Sequence, residues 1–124
     1  MDKAATVLYV EDNPENRLLV RRILQAEGFH VIEAESATQA WEAMNQSPPD
    51  LILMDINLPA VDGYTLTARL KSLPQFCQIP VIAITANVMR GDRERTFEAG
   101  CDGYIQKPID VDNLPLQINR YLMR

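Results

Sequence analysis

Cysteine and histidine are scarce in this sequence of 124 residues, which contains 2 cysteines and 1 histidine. The cysteines, Cys77 and Cys101, form no Cys-x-x-Cys pair, and His30 lies far from both in the sequence. Zinc sites and disulfide frameworks require several such residues at short, regular spacing. We therefore expect neither kind of site, and we interpret both cysteines as reduced core thiols.

Positive charge and long apolar runs are also in short supply. The chain has 12 lysines and arginines against 17 aspartates and glutamates, a net charge of −5, whereas a nucleic-acid-binding domain normally carries a basic patch. The apolar runs are far shorter than the roughly 20 residues that cross a membrane, and no basic segment followed by an apolar one opens the chain. We expect a cytoplasmic protein that binds neither nucleic acid nor membranes.

What the sequence does contain is a regular alternation of short apolar runs and helical patterns. Asn13 and Pro14 are suited to a helix cap and a first helical position, and Gly28 and Gly100 each follow a helical pattern. The predicted strands cover residues 7–10, 29–33, 51–54, 81–84 and 103–106. The predicted helices are 14–27, a segment opened by the capping-box pattern of Ser36 and Gln39, a segment opened by Asp62 and Gly63, 87–99, and a segment that follows Asp110 or Asp112. A chain of this length can bury one core, so we expect one domain.

Most of the apolar runs are continuous, which is typical of strands in a parallel sheet that helices cover on both faces. The five strand–helix pairs therefore predict a doubly wound α/β fold. If the strand order is 2-1-3-4-5, the expected site is the crevice beyond the carboxyl ends of strands 1 and 3.

Polar residues stand at the ends of these strands: Glu11 and Asp12 after the first, Asp55 after the third, Thr85 after the fourth and Lys107 after the fifth. Three neighbouring carboxylates repel one another unless a cation binds, and Mg²⁺ prefers oxygen ligands of this kind. An aspartate can act as a nucleophile on phosphorus, and a lysine and a hydroxyl group can neutralise the transferred phosphoryl oxygens. The set predicts a Mg²⁺ site with Asp55 as the nucleophile, although Asp55 taken alone could equally end a strand and face solvent.

Four motifs in this order resemble those of response-regulator receiver domains of two-component signalling, and the resemblance covers essentially the whole chain. They are Glu11-Asp12, Asp55-Ile56-Asn57-Leu58-Pro59-x-x-Asp62-Gly63, Thr85-Ala86, and Ala99-Gly100-x-x-x-Tyr104-x-x-Lys107-Pro108. The resemblance implies the flavodoxin-like (βα)5 fold with strand order 2-1-3-4-5.

The resemblance assigns the reaction to Asp55. It implies that Asp55 accepts a phosphoryl group from the histidine of a histidine kinase or a histidine phosphotransferase, with Lys107 and Thr85 beside that group. The Mg²⁺ ligands that it implies are Glu11 (through water), Asp12, Asp55 and the backbone carbonyl of Asn57. The protein would then be a signalling switch rather than an enzyme, and its only catalysis would be phosphoryl transfer to its own aspartate and slow self-dephosphorylation.

The same resemblance implies how the signal leaves the site. Thr85 and Tyr104 form the switch pair, and the Lys107–Pro108 peptide bond is cis. Helix 87–99, which is mostly polar, shifts and alters a face that it forms with strand 5 and the last helix. The downstream protein that binds this face is not identified by the sequence.

Single-domain regulators of the DivK type share two further segments, Gly91-Asp92-x-Glu94-Arg95 and Gly100-Cys101-x-x-Tyr104-Ile105-x-Lys107-Pro108-Ile109. This resemblance implies a receiver domain over residues 1–124 without an output domain. A receiver excised from a hybrid sensor kinase is an alternative. A Mg²⁺-dependent phosphatase that uses Asp55 in turnover is less favoured, because such enzymes typically carry a second aspartate two residues after the nucleophile, where this chain has Asn57.

Overall fold

The computed structural model describes residues 4–58, 62–86 and 92–122. The strands are β1 (Thr6–Val10), β2 (His30–Ala34), β3 (Leu51–Asp55), β4 (Val81–Thr85) and β5 (Gly103–Gln106), and the helices are α1 (Pro14–Ala26), α2 (Ala37–Gln46), α3 (Gly63–Lys71), α4 (Asp92–Glu98) and α5 (Leu114–Leu122). Residues 87–91 of the predicted helix 87–99 lie outside the described ranges. Within those ranges, no helix is both long and apolar enough to cross a membrane.

Helix α1 begins at the residues that its sequence predicts. The Asn13 side chain accepts hydrogen bonds from the backbone N–H groups of Glu15 (2.9 Å) and Asn16 (3.0 Å), and Pro14 takes the first helical position. Gly28 follows the helix with φ of +90°, a left-handed conformation that costs a residue with a side chain about 1–2 kcal/mol. Helix α1 therefore begins at a side-chain cap and is followed by a glycine in a left-handed conformation.

The five strands form one parallel sheet in the order β2-β1-β3-β4-β5. This order confirms the predicted flavodoxin-like, doubly wound fold. β1 and β3 are direct neighbours, and Val10 pairs with Met54. Because both strands run in the same direction, the residues that follow them meet at the carboxyl edge of the sheet. β2 is an edge strand, which explains its more polar, alternating sequence.

Two apolar layers cover the sheet, one on each face. The layer under α1 and α5 contains Val7, Tyr9, Val20, Leu24, Leu53, Ile84, Ile105, Leu114 and Ile118. The layer under α2 and α3 contains Leu8, Val10, Ala40, Met44, Ile52, Met54, Leu66, Leu70 and Ala83. Successive residues of β1 therefore point into opposite layers, as expected for a sheet with helices on both faces.

Two details differ from the expectations. Cys101 is a buried free thiol, as expected, but Cys77 is only half-buried and is not a core residue. At the start of α2, Ser36 accepts a hydrogen bond from the Gln39 backbone N–H (3.2 Å). In a capping box the Gln39 side chain would bond back to the Ser36 N–H, whereas here it accepts from the backbone N–H of Glu35 (2.9 Å).

Candidate functional site

Three carboxylates meet at the carboxyl edge of the sheet. Val10 pairs with Met54, so the residues that follow them, Glu11 and Asp55, lie side by side. One carboxylate oxygen from each of Glu11, Asp12 and Asp55 lies within 4.8 Å of the others. Glu11 and Asp55 are 1% and 2% exposed, whereas Asp12 is exposed to solvent. The structure thus brings together the three acidic residues that the sequence predicts as neighbours.

Asp55 is more enclosed than a residue that merely ends a strand and faces solvent. It is the last residue of β3 and is 2% exposed, so the solvent-facing alternative is wrong. Its Oδ1 accepts a hydrogen bond from the backbone N–H of Asn57 (3.0 Å), an exposed residue of the following loop. Its Oδ2 lies 3.5 Å from Lys107 Nζ. A buried carboxylate requires such partners, and these contacts hold its two oxygens in place.

Lys107 follows β5 and reaches both buried carboxylates. Its Nζ donates to Glu11 Oε1 at 3.1 Å and lies 3.5 Å from Asp55 Oδ2. Burial acts to lower the pKa of Lys107, but the negative charges of Asp55 and Glu11 and the hydrogen bonds to them outweigh burial and raise the pKa above its usual value. The ammonium group is therefore charged at neutral pH. The Lys107–Pro108 peptide bond is cis, the isomer that the resemblance implies.

Thr85 lies on β4, the neighbour of β3, and Tyr104 lies on β5, the next strand in the sheet. Thr85 is the last residue of β4 and is 1% exposed. It pairs with Gln106 of β5, and Tyr104 pairs with Ala83. Tyr104 is half-buried. Thr85 therefore stands at the same edge of the sheet as Asp55, whereas Tyr104 lies two residues before the end of β5.

Three residues that hold the acidic pair were not identified from the sequence. Tyr9 donates its hydroxyl to Glu11 Oε1 (3.3 Å), and the Asn16 side-chain amide donates to the same oxygen (3.0 Å). The Arg17 guanidinium donates to the backbone carbonyls of Glu11 (2.8 Å) and Asp12 (3.0 Å). Residues two apart in a strand point to the same face, so the spacing of Tyr9 and Glu11 is a signal that the sequence does contain.

Helix α3 starts directly against the strand end that carries Asp55. The Asp62 side chain caps the helix by accepting from the Thr65 backbone N–H (2.8 Å), and the Gly63 N–H donates to the Ile56 carbonyl (3.0 Å). A β-carbon at position 63 would lie 2.6 Å from the backbone oxygen of Asp55 and 2.8 Å from Ile56 Cα. The close approach therefore depends on glycine at this position.

The oxygen atoms at this edge suit a small, hard cation. Mg²⁺ prefers oxygen ligands, and proteins usually hold it through one or two carboxylates together with water and phosphate oxygens. Glu11, Asp12 and Asp55 supply carboxylate oxygens at short mutual distance. Asp12 faces solvent, so water can complete the coordination. The pocket fits Mg²⁺ binding.

The sequence of this chain is similar to those of known response regulators. A family profile described as "Response regulator receiver domain" matches residues 7–119. The "Polar-differentiation response regulator DivK" of Brucella ovis is 44% identical over 117 residues, which cover 94% of this chain and 95% of that protein.

Two solved structures are similar over nearly the whole chain. The receiver domain of the sensor histidine kinase PA1611 from Pseudomonas aeruginosa, which has a magnesium ion coordinated in its active-site cleft, matches with a TM-score of 0.90 and 33% identity, covering 98% of this chain and 100% of that one. The signal receiver domain of a signal transduction histidine kinase from Syntrophus aciditrophicus matches with a TM-score of 0.90 and 32% identity, covering 97% and 91% of the two chains.

Proposed function

Because this chain belongs to the response-regulator receiver family, we propose that it is a phosphorylation-controlled switch in which Asp55 accepts the phosphoryl group. The observation that carries the proposal is the position of Asp55. Its buried carboxylate lies beside those of Glu11 and Asp12 and 3.5 Å from Lys107 Nζ. The phosphodonor in this proposal is a phosphohistidine of a histidine kinase or a histidine phosphotransferase.

The proposed step is a direct transfer between two side chains. An oxygen of the Asp55 carboxylate attacks phosphorus and forms an O–P bond, while the N–P bond of the phosphohistidine breaks and its electron pair returns to the imidazole nitrogen. Negative charge is carried by the three equatorial phosphoryl oxygens during transfer. We assign the Lys107 ammonium group and the Thr85 hydroxyl as the donors that meet these oxygens, because both stand at the same edge of the sheet as Asp55.

We further propose that this transfer depends on Mg²⁺. The ion would be held by the carboxylates of Glu11, Asp12 and Asp55 and by the backbone carbonyl of Asn57, with Glu11 acting through water. When bound, it supplies positive charge that offsets both the repulsion among the carboxylates and the charge of the phosphoryl oxygens. The three clustered carboxylates support this assignment, as does the magnesium ion in the cleft of the PA1611 receiver domain.

In the proposed switch, Thr85 and Tyr104 report the phosphorylation. The Thr85 hydroxyl moves toward the new phosphoryl oxygens, and the half-buried Tyr104 turns inward into the space that Thr85 leaves. The face formed by α4, β5 and α5 then changes, and a partner protein binds it. Exposed apolar side chains on both helices support the assignment, because Phe97 of α4 is 44% exposed and Leu116 of α5 is 62% exposed.

A phosphatase with Asp55 as a turnover nucleophile is disfavoured by the chemistry of position 57. Such an enzyme needs a general acid near the leaving group, and the exposed Asn57 is an amide that cannot supply a proton as a carboxylic acid does. This favours a phosphoryl group that is retained as a signal. Attachment to a sensor kinase would leave the same chemistry unchanged, since both similar receiver domains described above come from histidine kinases.

The proposal is tested by incubating the purified protein with Mg²⁺ and acetyl phosphate, a small acyl-phosphate donor, and measuring intact mass. The wild-type protein should gain one phosphoryl group, and the Asp55→Asn variant should gain none. Asp112→Asn is a matched control, because Asp112 is an exposed aspartate in the turn before α5, and it should label like the wild type. Equal labelling of the Asp55→Asn and wild-type proteins would refute the assignment, and undiminished labelling in EDTA would refute the dependence on Mg²⁺.

A further inference from the structure

Three donors from different parts of the chain converge on one oxygen of Glu11. Oε1 accepts hydrogen bonds from the Tyr9 hydroxyl (3.3 Å), the Asn16 side-chain amide (3.0 Å) and the Lys107 ammonium group (3.1 Å). Because β1, α1 and the segment after β5 each contribute one donor, both the position and the direction of the carboxylate are set. Lys107 already belongs to the proposed phosphoryl site, whereas Tyr9 and Asn16 have no part in the proposed reaction.

The Tyr9 hydroxyl is a permanent donor to this carboxylate. The Tyr9 side chain is fully buried in the apolar layer under α1 and α5, and a hydroxyl buried among aliphatic groups requires a hydrogen-bond partner. Burial raises the pKa of Tyr9 far above its usual value, and the charges of Glu11 and Asp55 raise it further. A phenol is protonated at neutral pH, so the Tyr9 hydroxyl donates and Glu11 accepts.

Asn16 is placed by the cap of its own helix. Its backbone N–H donates to the Asn13 side chain at 3.0 Å, which fixes the first turn of α1 and directs the Asn16 amide toward Glu11. The side chain is half-buried, so its hydrogen bond with the carboxylate is only partly open to competition from water. Two independent elements, a buried strand and a capped helix, thus hold the same oxygen.

A glutamate needs this support more than an aspartate would. Its side chain has one more rotatable bond, so fixing its carboxylate in a metal site costs more conformational entropy. When Tyr9 and Asn16 hold the carboxylate in the folded protein, that cost falls on folding and not on ion binding. We infer that Tyr9 and Asn16 are positioning residues that set the Mg²⁺ affinity of the site by holding Glu11. The inference rests on the Mg²⁺ site of the proposed function.

The test is an NMR titration of the ¹⁵N-labelled protein with MgCl₂, in which amide shifts give the dissociation constant. Tyr9→Phe keeps the buried ring and removes only the hydroxyl. Because Glu11 acts on the ion through water, the variant should weaken Mg²⁺ binding by up to about tenfold, the low end of the range found when hydrogen-bond partners at a metal site are removed. Asn16→Ala should weaken binding in the same direction. Tyr121→Phe is the matched control, because it removes a hydroxyl from a half-buried tyrosine that lies by Gly103 at the opposite end of β5.

A double-mutant cycle with Glu11→Asp separates positioning from general stability. The shorter aspartate draws its carboxylate away from the Tyr9 hydroxyl, so Tyr9→Phe should change the Mg²⁺ dissociation constant by less than about twofold in the Glu11→Asp background. Thermal unfolding in EDTA confirms that each variant is folded.

The outcomes distinguish this inference from the proposed function. If the wild-type protein binds Mg²⁺ and both Tyr9→Phe and Asn16→Ala bind it with wild-type affinity, the positioning role is wrong and the proposed site stands. An equal effect of Tyr9→Phe in the Glu11 and Glu11→Asp backgrounds would also overturn the inference, because the hydroxyl would then not act through the glutamate. If the wild-type protein shows no response to MgCl₂, the proposed Mg²⁺ site itself fails.

Discussion

Replacing Gly63 by alanine has two opposing effects on the free energy of unfolding, one through local conformation and one through tertiary packing. Gly63 is the first residue of α3 and, unlike Gly28 and Gly100, does not have a positive φ. An alanine would therefore fit the local backbone. Removing a glycine from such a position favours folding by about 1 kcal/mol, through higher helix propensity and a less flexible unfolded chain. Local conformation alone predicts a more stable protein.

The contacts of Gly63 predict the opposite result. The added methyl group would lie 2.6 Å from the backbone oxygen of Asp55 and 2.8 Å from Ile56 Cα, and backbone atoms at the end of a buried strand cannot rotate away. Overpacking costs about 1–3 kcal/mol and occasionally more, and two backbone contacts place this case at the upper end. After the local gain is subtracted, the free energy of unfolding should fall by about 2 kcal/mol, which lowers the Tm by roughly 6–12 °C.

Urea unfolding measures this loss, with Gly103→Ala as the matched control. A methyl group at Gly103 would meet the hydroxyl end of the Tyr121 side chain, which can rotate, so the loss there should be smaller. Gly63→Ala should also slow labelling by acetyl phosphate, because relief of the clash displaces the strand end at Asp55. A Gly63→Ala protein that is as stable as the wild type, or more stable than Gly103→Ala, would show that α3 yields and that the reasoning is wrong.

Three further predictions concern other parts of the molecule. Burial raises the pKa of the Cys101 thiol from 9.0 to about 11, so the folded state holds this proton more tightly than the unfolded chain does. The resulting stabilisation is complete below pH 9 and is lost as the pH rises toward 11. The free energy of unfolding should fall over this range by up to about 3 kcal/mol. Urea unfolding of the wild type and Cys101→Ala at about pH 8 and about pH 10.5 measures this loss, and parallel pH dependence would contradict it. Tyr64→Phe removes the hydroxyl that accepts a hydrogen bond from Thr96 Oγ1 at 3.4 Å but keeps the ring under Arg95. The free energy of unfolding should fall by about 1 kcal/mol, and amide hydrogen exchange should accelerate in α4 but not in α5. Uniform acceleration would show that this hydrogen bond does not stabilise α4 locally. Asp12→Asn relieves carboxylate repulsion, so it should raise the Tm in EDTA. It also removes a proposed ligand, so it should diminish the stabilisation by Mg²⁺, which for the wild type is about 1.4 kcal/mol at a concentration ten times Kd. An unchanged response to Mg²⁺ would exclude Asp12 as a ligand.

The positions of the strands and helices follow from short stretches of sequence. Asn13 and Pro14 predict the start of α1, and Gly28 predicts its end, because caps and left-handed glycines act within one helical turn. The continuous apolar run before Asp55 predicts a strand buried on both faces. The strand order does not follow from short stretches of sequence, since several right-handed windings satisfy the same local patterns. It was expected because of the resemblance to receiver domains.

The site was predictable to the extent that it depends on strand ends. Glu11, Asp12 and Asp55 follow or end neighbouring parallel strands, so their meeting is a consequence of the fold. The burial of Asp55 did not follow from strand ends alone, because its carboxylate is partnered by Lys107 and by the backbone N–H of Asn57, contacts that form only in the folded chain. The hydrogen bonds of Tyr9 and Asn16 to Glu11 were also missed, although the two-residue spacing of Tyr9 and Glu11 indicated a shared face.

The sequence by itself determined, to within about one residue, where the strands begin and end. It also determined which faces are apolar and which residues carry oxygen ligands, since these properties depend on neighbours within a few residues. Only the tertiary structure decided that Lys107 lies 3.1 Å from Glu11 across 96 positions of chain, that three donors share one oxygen of Glu11, and that position 63 touches the backbone of Asp55. Such contacts depend on the register of strands and on the packing of helices over them. Both are set by the whole core at once, and no local segment contains enough information to specify them.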